Sequence, residues 1–443
     1  MEILLFIAGV LIMAAAIAAS IALHELGHLL PAKIFGVRVR QYMIGFGKTI
    51  FSRSWGETEY GFKAIPLGGY IAMVGMYPPE KAGIKAGRLA QVLTQARQAD
   101  KDFITPADQG RLFYQLPVWK RIIIMLGGPS MNLLIGIVCT AVLLLGFGQN
   151  QATTQIETVS ACIQSVSSTN LPQQEQENCS QDDQPSPAQQ AGLRAGDVIT
   201  SFAGQDITSW EQLTSLIKSH ADQQTVLTVE RDGKTQQLSI KPLLTVRPVY
   251  NDLTGQYERD ADGSYQTQAV GFIGVSPRSQ LQPGSIDQVL PTVGQNMQQI
   301  GAALIKLPAR VYGVAVTLVS NGERDADSPV SVVGVGRVAG EIAATDQIDL
   351  RDKAASLVAL TASLNLMLFV FNLLPLLPLD GGHVVGALWE GVRRLWARLV
   401  KRPDPGPFDP VKLLPLTWVV AGCFMAMSVL LITADLFKPI SLF

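Results

Sequence analysis

Between Ile3 and Leu23 the chain carries no charged residue. As a helix rising about 1.5 Å per residue, that run matches the roughly 30 Å of hydrocarbon in a bilayer, so it reads as a membrane span. It leads directly into His24-Glu25-Leu26-Gly27-His28, and this junction restricts the fold more than any other feature. Residues i and i+4 share a helix face, so His24 and His28 can reach one Zn²⁺ while Glu25 stands between them as a general base toward water. Ionisable groups at the end of an apolar helix are costly unless paired or functional. The pattern points to metal-assisted peptide hydrolysis. Because it lacks a basic n-region and carries Glu2, the segment is expected to be retained rather than cleaved as a signal peptide.

Of the 443 residues, 48% are hydrophobic and 16% charged, a balance too apolar for an ordinary soluble enzyme of this length. Ile122–Phe147, Leu357–Leu374 and Leu413–Leu436 join Ile3–Leu30 as four expected spans, interrupted by Asn132, Asn365 and Asn372. The expected fold is therefore a polytopic α-helical membrane protein with four transmembrane helices. A net charge of -1, with no basic stripe interleaved with aromatics, excludes nucleic acid as a partner. Lys and Arg set the orientation: 14 fall in residues 31–121 and 6 in the short stretch 375–412, against 14 in the 205 residues 149–353. The first and third connections are thus expected in the cytosol, with both termini and the long middle region outside. Cys162 and Cys179 then lie on the oxidising side, where a disulfide between them would persist.

The first helix is assigned to residues 1–30. Within 31–117, Thr49–Phe51, Glu59–Lys63 and Tyr70–Met73 read as short strands of a membrane-associated sheet, turned at Pro66-Leu67-Gly68-Gly69, with a helix and cytosolic loop over Tyr77–Pro117. The second span occupies 118–148, and 149–187, rich in Gln, Ser and Pro, reads as a linker. Residues 188–245 form a domain: Ala191-Gly192-Leu193-Arg194-Ala195-Gly196-Asp197-Val198-Ile199, a helix over Trp210–Ser219, and strands Val226–Glu230 and Thr235–Ile240 turned at Asp232-Gly233. This resembles an extracytoplasmic bacterial PDZ domain, which accepts a peptide end as an added strand; a steric filter over the membrane site is the alternative. In 246–355, Met297–Ser320 is apolar but carries Lys306, Pro308 and Arg310, so an amphipathic helix on the membrane face is expected there. The third span and its tail fill 356–383, a cytosolic loop 384–412 and the fourth span 413–436.

A catalytic zinc takes three protein ligands. The third span ends in Asn372-Leu373-Leu374-Pro375-Leu376-Leu377-Pro378-Leu379-Asp380-Gly381-Gly382-His383, where prolines stop the helix and two glycines permit a turn after one carboxylate. The first and third spans run in the same direction, so His28 and Asp380 lie at one membrane depth. Asp380 is the candidate ligand and His383 its rival. Asn132, an amide inside a span, is expected to bond either substrate backbone or the metal-binding segment, whereas Gly127 and Gly128 read as helix packing.

H-E-L-G-H in a first span, with N-x-x-P-x-x-P-L-D-G-G in a later one, resembles the site-2 protease family of intramembrane zinc metalloproteases. Ile65-Pro66-Leu67-Gly68-Gly69-Tyr70 is similar to the family's membrane-dipping hairpin, Gly128-Pro129-Ser130-Met131-Asn132 to its G-P-x-x-N element, and Ser328-Pro329-Val330-Ser331 to its segment before the third span. The resemblance implies zinc on His24, His28 and Asp380, catalysis by Glu25, and substrate contacts at Asn372, with Asn132, Gly68 and Gly69 as further candidates. It also implies a multi-pass protein of the bacterial inner membrane. Its expected partners are the lipid bilayer and single-span membrane substrates, such as an anti-sigma factor or remnant signal peptide already trimmed outside. A peptide end at the PDZ domain is a further expected partner. One PDZ unit resembles the one-PDZ bacterial members. Two rivals are a membrane zinc protease that cuts soluble or prenylated chains, with a downstream glutamate as third ligand, and a PDZ-based receptor or scaffold with structural zinc.

Overall fold

The computed structural model describes residues 2–79, 94, 95, 97, 98, 101–163, 179, 183–251, 256, 257, 264–320, 324 and 328–440. Its principal elements in chain order are α1 (Glu2–Ile34), β1 (Val39–Trp55), β2 (Thr58–Met73), α2 (Val118–Ala141), β3 (Gln149–Val159), β4 (Val198–Phe202), α3 (Trp210–Ser219), β5 (Thr225–Arg231), β6 (Lys234–Ile240), β7 (Leu243–Pro248), β8 (Thr267–Phe272), β9 (Val275–Gln282), α4 (Ile286–Val319), α5 (Val332–Ala344), α6 (Leu350–Asn372), α7 (Asp380–Leu399) and α8 (Leu414–Phe437). They form two compact units, one of Met1–Leu143 with Ile286–Phe443 and one of Leu144–Ser285.

Close helix crossings organise the first unit. Where α1 meets α2, Gly27 lies against Gly127, and a Cβ on either would run into the other's backbone carbonyl. Small residues drive such contacts in lipid, where hydrocarbon offers no hydrophobic gain. Gly9 of α1 meets the backbone of Ala339 in α5, and Gly136 of α2 receives Leu366 of α6. Asn365, fully buried in α6, donates to Ser20 Oγ of α1 at 2.9 Å, which satisfies part of an amide that lipid could not.

Among the described residues five helices are long and apolar enough to cross a membrane: α1, α2 with its π-turn to Phe147, α4, α6, and α8 with its preceding turn from Pro410. Four coincide with the expected spans. The fifth, α4, contains the segment expected to lie on the membrane face because of Lys306, Pro308 and Arg310. The expected helix is present and longer than that segment, 34 residues continuing through Pro291 and Pro308. Lys306 and Arg310 are one turn apart, so their cations stay on one side, and each long stem can carry its charge away from an apolar surface.

β1 and β2 both bend. Gln41–Ile44 therefore pairs with Glu59–Phe62 on one edge and Gly69–Ala72 on the other, and Phe51–Trp55 pairs with Thr58–Phe62. The chain turns between Trp55 and Thr58 and reverses again between Lys63 and Gly69. Of the helix and loop expected over Tyr77–Pro117, residues 80–93, 96, 99 and 100 lie outside the described residues.

In the second unit the sheet runs β9-β3-β4-β5-β6. Burial alternates along β5, with Thr225, Leu227 and Val229 inward, as one covered sheet face demands. Leu227 and Val229 join Ile199, Phe202, Leu213 and Ile217 in the core. Asp232 and Gly233 both take positive φ in the β5–β6 hairpin, the conformation a two-residue turn requires. The unit is wider than residues 188–245, because β3 and β9 complete its sheet. β3 falls in the expected linker, where Ile156 and the terminal Val159 are the side chains turned to the core among mostly polar residues. Cys162 and Cys179 are disulfide-bonded; most of the remaining expected linker, residues 164–178 and 180–182, lies outside the described residues, as do most of residues 252–263.

Asp197 ties the glycine-rich loop to the sheet, accepting from Arg231 Nε and Nη2 at 2.7 Å and from the Arg194 N–H at 2.8 Å. Burial alone would raise its carboxyl, but the hydrogen bonds from Arg231 and Arg194 prevail and hold it below the ordinary carboxylate range. Such a depressed carboxyl contributes stability above the ordinary carboxylate range, and the contribution is lost as pH falls through the folded value. Protection of the β4 and β5 amides against hydrogen exchange in the full chain should thus drop below about pH 4. Asp197→Asn should cost about 1–3 kcal/mol at neutral pH and flatten that acid limb. Gly27→Ala should cost about 1–3 kcal/mol by overpacking the α1–α2 crossing, read as an earlier unfolding midpoint in mixed micelles.

Candidate metal centre

His24 and His28 lie one turn apart on α1, and Asp380 opens α7 after the proline-broken end of α6. Their donor atoms form a nearly equilateral triangle. His24 Nε2 is 3.2 Å from His28 Nε2, and each is 3.4 Å from Asp380 Oδ2. A tetrahedral ion with ligands at about 2.0–2.1 Å spaces its donors roughly 3.3 Å apart, so the set fits zinc. It is the one group of three or more such side chains with cation spacing among the described residues.

The imidazoles are held by their other nitrogens. His28 Nδ1 donates to the Ile124 carbonyl of α2 at 2.7 Å, and His24 Nδ1 lies 3.1 Å from the side-chain amide of Asn132. A histidine that offers Nε2 to a cation keeps its proton on Nδ1, and that proton needs an acceptor. Turning the Asn132 amide so that Oδ1 faces His24 supplies it. The same rotation gives a partner to Oδ1, otherwise buried without one. Gly128, between Ile124 and Asn132 on one face of α2, leaves room for the His28 ring, which a Cβ there would strike. Of its two expected partners Asn132 thus meets the metal-binding segment; at 1% exposure its contact is His24.

Glu25 is 9% exposed, and β2 passes beside it: a Cβ on Gly69 would meet Glu25 Cγ and Ile21. Gly68, at φ +106°, fits under the Phe46 ring. Gly69–Met73 pairs with β1 on one edge and with no other strand among the described residues. Asn372 is the last residue of α6, half-buried, and its side chain takes no hydrogen bond from the described residues. His383 stands apart from the triangle, beside a small cavity of about 20 Å³ lined by Met76, Phe113, Arg121 and Phe408. What sequence reasoning missed is the lateral fit of α2, whose Ile124, Gly128 and Asn132 recur at four-residue spacing.

The model of peptidase family M50 matches residues 12–401. The chain belongs to that family, the site-2 proteases. It is 33% identical over 445 residues to the zinc metalloprotease Rip1 of Mycobacterium tuberculosis, covering 99% of this chain and 100% of that one. It is 26% identical over 389 residues to the metalloprotease MmpA of Caulobacter vibrioides, covering 84% of each. With the zinc metalloprotease RasP of Oceanobacillus iheyensis it shares 24% identity over 427 residues, covering 84% and 88% respectively. This M50 chain is a metalloprotease embedded in a membrane. Asn132→Leu should weaken its metal affinity about 10- to 100-fold, the usual cost of losing a partner that orients a ligand. Asn132→Asp, which keeps an acceptor for His24 Nδ1–H, should lose much less; titration against a zinc-buffering chelator distinguishes the two.

Proposed function

We propose that the chain is a zinc-dependent endopeptidase that cuts single-span membrane proteins within their apolar helix, after a first cut outside. The reading rests on the convergence of His24, His28 and Asp380, with Glu25 beside them, at the ends of helices able to span a membrane. Zn²⁺ is its cofactor: the donors and their spacing suit that ion, and the Rip1 and RasP relatives are named zinc metalloproteases. When bound it would polarise a peptide carbonyl and make nearby water more acidic.

His24, His28 and Asp380 would hold the ion, and Asn132 fixes the His24 tautomer. Glu25 takes the proton of the attacking water on a carboxylate oxygen and returns it to the departing amine nitrogen. A helical substrate hides its peptide bonds, so it must unwind before it is cut. The free edge around Gly68 and Gly69 receives the unwound segment as an added strand, and the Asn372 amide bonds its exposed backbone. Without a side chain at Gly69, β2 itself lies close against Glu25, which brings a strand added beside it near that carboxylate.

We read the Leu144–Ser285 unit as a PDZ-type domain; its Ala191–Ile199 loop, helix α3 and hairpin at Asp232-Gly233 support this. The Lys/Arg distribution supports placing that domain and both termini outside a bacterial inner membrane. α4 is a candidate fifth span, and with four crossings it lies along the membrane face.

Cleavage of a model single-span substrate in detergent, mapped by mass spectrometry, tests the proposal. Wild type should cut inside the apolar helix. Glu25→Gln should keep its zinc and lose about 10²- to 10⁴-fold in rate, whereas Asp380→Asn should lose zinc itself. A Glu25-dependent cut outside the helix would favour the protease of soluble or prenylated chains. Absence of any cut, with zinc bound in both proteins, would favour a receptor with structural zinc.

A further inference from the structure

Helix α7 has two unlike faces. Gly386, Ala387, Glu390 and Ala397 are buried, and the fully buried Glu390 accepts from Arg121 of α2, from Arg394 and from the Phe408 N–H. Opposite them Leu388, Trp389, Val392, Leu395, Trp396 and Leu399 are 50–70% exposed. At 3.6 residues per turn these six fall within an arc of about 120°. A stripe this continuous is a liability in water and marks a contact surface.

The course of α7 locates that surface. Asp380 sits by His28, whose ring rests on Gly128 of α2, while Gly391 faces Val118 at the start of α2. α7 therefore runs back along α2, descending about 16 Å from the depth of the metal centre to the end marked by Trp119 and Lys120, an aromatic and basic pair typical of a membrane boundary. Its last two turns pass that level. At that end of α2 Trp119 and Ile123 are themselves exposed apolar side chains.

Residues 393–402 contain five Lys or Arg and no acidic residue. Arg394 is engaged by Glu390 and Asp404, and Arg393 donates to the Gly406 carbonyl. Arg398, Lys401 and Arg402 are exposed and form no ion pair among the described residues. Resting on the membrane-embedded reading of the chain, we propose that α7 is seated in the lipid along this stripe. Arg398, Lys401 and Arg402 bind the phosphate of an anionic phospholipid headgroup. Lipid suits the face better than a second copy does, because tryptophans seven residues apart and a cluster of exposed cations occur in sequence where a bilayer passes from acyl chain to headgroup.

The test uses the full chain with Cys139→Ala, Cys423→Ala and Leu399→Cys, labelled with a fluorophore at position 399 and reconstituted in vesicles of phosphatidylcholine and phosphatidylglycerol. Nitroxide on the phosphatidylglycerol headgroup should quench the label about fivefold more effectively than nitroxide on phosphatidylcholine, as the attraction of roughly one cation would give. Arg398→Gln, Lys401→Gln and Arg402→Gln together should erase that preference while both lipids still quench. Equal quenching by the two lipids before those substitutions would overturn the headgroup site. Quenching by aqueous iodide alone would overturn the lipid seat, as would a label shielded from both media and crosslinking between copies.

Discussion

The approach of Gly27 to Gly127 determines where the chemistry can be. With no side chain between them, α1 and α2 touch through their backbones, and every contact that orients the imidazoles follows from this spacing. The His28 ring lies over Gly128 and donates to the Ile124 carbonyl, while His24 meets Asn132 one turn further along. Even a methyl group at the crossing would move the two helices apart, and hydrogen bonds near 3 Å do not survive a shift of that size. A metal site buried among helices is thus set by the smallest residues in its neighbourhood as much as by its donors.

The parts of this architecture that depend on spacing along one helix were legible in the sequence. His24 and His28 announce themselves because four residues make one turn, and Asp380 because prolines and glycines around a lone carboxylate in an apolar stretch have few other uses. Asp232-Gly233 gave the hairpin for the same local reason. Contacts across helices were legible only in part. Gly127 and Gly128 read as helix packing, and Asn132 as a partner of either substrate or the metal-binding segment, but nothing in the sequence chose between those partners or named His24, 108 residues away, and nothing near Asn365 points to Ser20. β3 was hidden by its polar outer face, whereas the helix of α4 was expected and only its length was not. Charge and proline counts describe what a segment prefers by itself, and packing decides what it does.

Glu390 and Asp435 show how the unit keeps charge inside without exposing it. Each sits at a helix junction and is shared: Glu390 among Arg121, Arg394 and the Phe408 backbone, Asp435 between Arg324 and the Ser331 N–H. A buried pair is seldom a net source of stability, but losing one partner is costly, so these junctions fix the mutual placement of helices more than they strengthen the fold.

More than 350 residues separate His28 from Asp380. The two histidines leave the ribosome with the first helix, but the carboxylate arrives only after the whole Leu144–Ser285 unit and three further helices have been made. During most of its own synthesis the chain holds two donors and no third. A nascent copy lying beside unfinished membrane proteins therefore has no complete active centre with which to cut them, and competence is delayed until the last quarter of the polypeptide has been translated.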